Sequence, residues 1–232
     1  MFELLLAANK KAMLLGPGPQ TLIAGDATNG FFGEISAAEL FTGTEMAAAI
    51  GATAGTLINN TTPWLKLSKD GRVIFIPKKA IRIGLSFAAI DALGARTPAQ
   101  DKQITAKGWK FRCRLPTATQ AGWAGEVGED PNNTQLSDYN RFIYRLCVLK
   151  APSETDPVLA SYTLADLGMS SADQGCCFIC QEGSPNSTYV QRNGGNNASA
   201  PNSWNSLQTG VSATLSDQYR GWRPVLELLA AA

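Results

Sequence analysis

Few side chains in this sequence could do chemistry, and the cysteines stand out first. Cys176-Cys177-Phe178-Ile179-Cys180 places a C-x-x-C spacing beside a third thiol, with Cys113 and Cys147 elsewhere in the chain. Zinc in a structural site takes about four N or S ligands. A redox C-x-x-C normally opens a helix beside a strand, whereas this one lies in the apolar run Gln174–Gln181. The reading is buried free thiols, with a structural disulfide or metal and redox chemistry as alternatives. Histidine is absent from all 232 residues. Ser-His-Asp and Cys-His catalysis are therefore closed to this chain, as is the side chain that most often switches protonation near neutral pH. No catalytic residue, metal ligand or cofactor is expected.

A second group of residues suits recognition rather than catalysis. Positions 182–210 are rich in Gly, Asn and Ser, interrupted by Tyr189, Arg192 and Trp204. A loop this long in a compact domain is usually functional or disordered. Aromatic and Arg side chains dominate binding energy at interfaces, and small polar residues adapt their hydrogen bonds. Tyr189, Arg192, Asn196, Asn197, Trp204 and Asn205 are the expected binding residues, exposed on that loop. A plug of Trp204 on the core is the alternative.

Composition sets the frame that must position these residues. Hydrophobic residues make up 44% of the chain and charged residues 17%, with 22 glycines. The charged share falls below the ordinary ~25% of globular domains. With 20 Lys and Arg against 19 Asp and Glu, the net charge is +1, so no basic footprint for nucleic acid exists. Met1–Leu6 is apolar but short and without a charged region before it, so neither a cleaved signal nor a membrane span is expected.

Several elements are legible. Ser36 with Glu39 forms a capping-box pattern, predicting a helix over 37–50. Asp70-Gly71 between Trp64–Leu67 and Arg72–Pro77 predicts a hairpin. The basic cluster of Lys78, Lys79 and Arg82 reads as a solvated rim. Ser86–Leu93 reads as a short helix ended by Gly94. Trp109–Leu115 alternates, predicting a strand with Trp109, Phe111, Cys113 and Leu115 buried and Lys110, Arg112 and Arg114 exposed. Thr117 with Gln120 predicts a helix near 118–124, Arg141–Lys150 reads as an alternating strand, and Thr163 with Asp166 caps one turn ending at Gly168. Residues 219–229 form a closing strand with Trp222 packed inward. Residues 1–63, apolar and punctuated by Gly and Pro, read as an attachment or oligomerisation segment ahead of a domain spanning 64–232.

Two segments together carry a resemblance. Phe111-Arg112-Cys113-Arg114-Leu115-Pro116-Thr117 and Tyr219-Arg220-Gly221-Trp222-Arg223-Pro224-Val225-Leu226-Glu227-Leu228 resemble elements of the formylglycine-generating-enzyme branch of the C-type-lectin-like fold. The resemblance implies an α+β, C-type-lectin-like domain. It does not carry the oxidase activity over, because the spacing and surroundings of Cys177 and Cys180 differ from that family's copper-binding cysteine pair. Trp204-Asn205-Ser206 resembles the calcium motif of C-type lectins, but Ser206 stands where an acidic ligand belongs, so no calcium is expected. Over the whole chain, Leu15-Gly16-Pro17-Gly18-Pro19-Gln20, Gly30-Phe31-Phe32-Gly33-Glu34, Trp64-Leu65-Lys66, Pro77-Lys78-Lys79 and the Gly221–Glu227 end look like virion structural proteins of tailed bacteriophages. That resemblance implies a non-enzymatic surface protein of the virion (fibre, tail tip or capsid surface), made in the bacterial cytoplasm. It would join other virion proteins through residues 1–63, form homo-oligomers and contact a host receptor. A purely structural capsid decoration or tail-assembly protein is the alternative.

Overall fold

The computed structural model describes residues 15–118, 137–139, 143, 146, 160, 162–170, 172–192 and 207–232. Strand dominates, in two open sheets. The seven-stranded sheet runs β1-β2-β4-β5-β13-β8-β7 and the six-stranded sheet β11-β10-β9-β12-β6-β3. The first contains β1 (Ala24–Gly25), β2 (Asn29–Ile35), β4 (Trp64–Lys69), β5 (Arg72–Pro77), β7 (Gln103–Ala106), β8 (Trp109–Arg114) and β13 (Val225–Ala231). The second contains β3 (Thr56–Leu57), β6 (Arg82–Ile83), β9 (Cys177–Gly183), β10 (Thr188–Arg192), β11 (Leu207–Ser212) and β12 (Arg220–Trp222). The short helices α1 (Gly43–Ile50) and α2 (Phe87–Ala92) accompany them among the described residues. The helical share of the α+β expectation is thus small.

The hairpin forms where Asp70-Gly71 requires it. Both residues have positive φ, 51° and 76°, and Lys69 pairs directly with Arg72. A turn with two left-handed residues matches the twist of the flanking strands. The Ser36–Glu39 capping box also forms, with the Glu39 amide donating to Ser36 Oγ at 3.2 Å, but it closes only a turn. A second box begins α1 instead. The Glu45 amide donates to Thr42 Oγ1 at 3.2 Å, and the Thr42 amide donates to Glu45 Oε2 at 2.7 Å. The helix expected over 37–50 is shorter because Leu40 and Phe41 leave the helical path to enter the core.

Residues 15–63 are built into the sheet rather than set apart from it. β2 pairs with β4 from Asn29↔Lys69 to Ile35↔Trp64, across the boundary expected at 63/64. Lys66, buried in β4, donates to the carbonyls of Pro17 at 2.8 Å and Pro19 at 2.5 Å. Burial lowers its pKa to about 8. A separate N-terminal segment can therefore extend no further than residues 1–14, which lie outside the described residues.

The core has two parts. One holds the aromatic series Trp64, Phe41, Phe111 and Phe75, with ring centroids 6.4, 5.9 and 5.8 Å apart, the first pair tilted and the other two edge-to-face. It continues through Leu226, Leu228, Ile179, Tyr189 and Trp222. The other lies on the opposite sheet faces and holds Leu65, Leu67, Ile74, Ile76, Tyr139, Ile143, Leu146, Phe178 and Val225. Within the expected strand 141–150, the described positions Ile143 and Leu146 are instead helical, as are Asp138 and Tyr139. Tyr139, Ile143 and Leu146 follow an i, i+4, i+7 spacing, so one helical face is buried. The alternation over Arg141–Lys150 therefore misled. The helix expected near 118–124 lies almost wholly outside the described residues.

β12 and β13 join the sheets. Only Arg223 and Pro224 separate them, so the chain passes from the six-stranded to the seven-stranded sheet in two residues. Gly221 permits this crossing, because a Cβ there would stand 2.4 Å from the Gly175 carbonyl oxygen. Arg223 is buried over the Phe178 ring and donates to the Leu167 and Gly168 carbonyls at 2.6 and 2.9 Å. It thereby ties the turn capped by Thr163 and Asp166 to the sheet.

Candidate functional site: a polar cavity backed by an ion network

On the face of β8 opposite the aromatic core, alternation does not simply expose charge. Lys110 is exposed, Arg112 partly buried and Arg114 buried, so the expected exposure of Arg114 is corrected. Register explains it. Glu227 on β13 pairs with Arg112 on one side and Ile74 on the other, so an acidic side chain lies beside the arginines on the same face. Arg114 Nε donates to Glu227 Oε1 at 2.7 Å, and Arg112 Nη1 approaches Glu227 Oε2 at 3.3 Å.

Asp138 completes the network from a helical position. It accepts from Arg114 through Nη1 and, at 3.3 Å, Nη2, and from Lys69 Nζ at 2.8 Å. Thr117 binds it reciprocally. The Thr117 amide donates to Asp138 Oδ2 at 2.9 Å, and the Asp138 amide donates to Thr117 Oγ1 at 2.6 Å. Gln120, the expected capping partner of Thr117, lies outside the described residues. Desolvation alone would raise the Asp138 pKa, but Arg114 and Lys69 outweigh it and hold the carboxyl well below its usual range. Desolvation likewise works against the Arg114 charge, and Asp138 and Glu227 outweigh it, raising its pKa. Arg112 also binds Asp101 at 2.8 Å.

In front of this network is a cavity of about 380 Å³, lined by Lys69, Asp70, Arg72, Ile74, Pro98, Arg114, Thr117, Gln181 and Glu227. The β4–β5 hairpin, the end of β8 with Thr117 beyond it, the turn at Pro98, β9 and β13 each supply part of its wall. Ile74 and Pro98 are its apolar lining. Arg72 is exposed, and its side chain enters no ion pair or hydrogen bond among the described residues. Gln181 Oε1 is buried and accepts no hydrogen bond there.

The expected binding residues are elsewhere. Tyr189 and Arg192 are fully buried strand residues of β10, not loop residues. The Tyr189 ring stacks on Phe87 with centroids 5.0 Å apart, and the Arg192 guanidinium lies 4.6 Å over the Tyr139 ring. Their burial follows from pairing: β10 lies between β9 and β11, inside the sheet. Asn196, Asn197, Trp204 and Asn205 lie outside the described residues. Sequence reading missed the cavity residues, because Glu227 and Asp138 reach Arg114 only through the pairing of distant segments.

The thiols are dispersed between environments. Cys113, Cys176, Cys177 and Cys180 are buried and form no disulfide. Burial pushes Cys113 up to about 12 and Cys180 well above the ordinary thiol range. Cys176 and Cys177 have sulfurs 3.8 Å apart. The contact from Cys177, helped by Arg223, lowers Cys176 to about 7 and raises Cys177. Among the described residues no group of three or more Cys, Asp or Glu side chains is arranged to hold a metal ion, and no described helix is long and apolar enough to cross a membrane.

Comparison of the chain with family models, with curated proteins and with solved structures finds no match.

Proposed function

We propose that this chain is a non-enzymatic surface protein of a tailed-phage virion, built on a C-type-lectin-like domain and binding a host receptor or neighbouring virion subunits. One observation carries the reading. The two segments that bear the resemblance, 111–117 and 219–228, are neighbours in space: β8 and β13 pair through Val225↔Arg114, Leu226↔Cys113 and Glu227↔Arg112. Segments about 100 residues apart that resemble one fold are thus also joined as one scaffold.

The chemistry of the cavity favours binding over catalysis. Glu227, in its wall, accepts from Arg114 and Arg112, so this carboxylate is engaged in holding the scaffold. Cys176, the thiol with a lowered pKa, is not among the cavity residues. Mass spectrometry of gradient-purified particles tests the reading. The chain should co-purify at a fixed copy number, and its absence from intact particles would defeat it.

A further inference from the structure

We propose that Cys176 and Cys177 form a dithiol that a hydroperoxide oxidises to a reversible disulfide between neighbouring residues. The inference is separate from the cavity and from any place on a virion.

Geometry selects this pair. Along a β-strand successive side chains point to opposite faces, which would keep neighbouring thiols apart. β9 begins only at Cys177, and Cys176 precedes it, so the rule does not separate them. Their sulfurs lie 3.8 Å apart. The backbone is anchored on either side. The Gly175 amide donates to the Gln218 carbonyl at 2.8 Å, and the Cys177 amide donates to the Tyr219 carbonyl at 2.9 Å.

The C-x-x-C spacing, by contrast, brings no pair together. Phe178 and Cys180 pack in one core cluster and Ile179 in the other. Cys177 shares the alternation of Ile179, so Cys177 and Cys180 lie on opposite faces of β9. Cys113 sits in the aromatic core, and burial holds the Cys113 and Cys180 thiols protonated.

Reactivity follows from the same contact. The thiolate, not the thiol, is the nucleophile. With Cys177 as donor, the contact favours the Cys176 thiolate. Arg223 adds to this, while burial and Asp173 oppose it. Cys176 is also the least enclosed of the four described thiols, 7% exposed against 2% or less for the others. It attacks a peroxide oxygen, the O–O bond breaks, and the released oxyanion takes up the Cys176 proton, leaving a sulfenic acid. The Cys177 sulfur then attacks the Cys176 sulfur. The S–O bond breaks, and the hydroxyl departs with the Cys177 proton as water. The thiols are oxidised to a disulfide and the peroxide is reduced.

Closure brings the sulfurs from 3.8 Å to about 2.05 Å. The Cα atoms of consecutive residues are only about 3.8 Å apart, below the ~4.4–6.8 Å usual for disulfides. Such a bond is strained, and strained disulfides are the readily reduced ones.

The test is mass measurement of the folded full chain after hydrogen peroxide. The wild type should lose about 2 Da, the thiol hydrogens, and dithiothreitol should restore them. Cleavage of the oxidised, blocked chain after Phe178 separates Cys180 from the pair, and the loss should stay on the fragment carrying Cys176 and Cys177. Cys176→Ala should show no loss. In Cys177→Ala an oxygen addition that dimedone traps on Cys176 should replace it, because no neighbouring thiol resolves the sulfenic acid. An unchanged wild-type mass, a bond linking this fragment to Cys113, Cys147 or Cys180, or a loss that persists in Cys176→Ala or Cys177→Ala would each overturn the proposal.

Discussion

The two faces of β8 and β13 carry opposite solutions to burial. On one, Phe111, Cys113, Leu226 and Leu228 join an aromatic core that needs no directed bonds. On the other, Arg112, Arg114 and Glu227 meet Asp138 and Lys69 in an ion network. The apolar face gains free energy from every buried group independently. In the charged face each group depends on its partners, because an unpaired buried charge is far costlier than a paired one. The first face holds the sheet together, and the second shapes a cavity.

That contrast can be broken from either side. Phe111→Ala should cost about 3–5 kcal/mol through lost transfer energy and a cavity. Asp138→Ala should cost a similar ~3–5 kcal/mol, because Arg114 loses its principal partner inside the protein. Urea denaturation midpoints measure both. The faces then diverge on rescue. Adding Arg114→Met to Asp138→Leu should cost less than Asp138→Ala alone, since removing both charges removes the penalty. A double variant as unstable as the single one would show that the network stabilises beyond its mutual compensation.

Acid sharpens the comparison next. The Asp138 pKa is depressed in the folded state, so its contribution is fully present above the unfolded carboxylate value of about 3.9. It is lost as pH falls below that value toward the folded pKa. Wild-type stability should therefore drop below about pH 4 more steeply than that of Asp138→Asn. Parallel acid limbs for the two proteins would contradict the assignment. The apolar face offers no counterpart, because burial holds Cys113 neutral well above neutrality.

The smallest effect is expected at the hairpin that forms the cavity wall. Gly71 has φ 76°, and a Cβ there meets nothing within 4 Å. Gly71→Ala should therefore cost only the conformational penalty, about 1–2 kcal/mol, visible as a modest fall in melting temperature. A larger loss would mean that the turn sets the register of β4 and β5 as well as linking them.

Local signals determined much of this protein. Asp70-Gly71 specified its hairpin, Ser86 and Gly94 bounded a helix, Thr163 and Asp166 capped a turn, and the alternation of Phe111, Cys113 and Leu115 fixed a buried face. Each rests on bonds or periodicity within a few residues. Tertiary structure decided the rest. The alternation that buried Phe111 could not say that Arg114 would be buried too, because its partners Asp138 and Glu227 lie 24 and 113 residues away. Tyr189 and Arg192 read as loop residues until β9 and β11 enclosed β10. Arg141–Lys150 read as an alternating strand, whereas its described positions Ile143 and Leu146 are helical and buried on one face. Composition and spacing establish what a side chain can do, whereas pairing between distant strands establishes whether it meets solvent, a counter-charge or a ring.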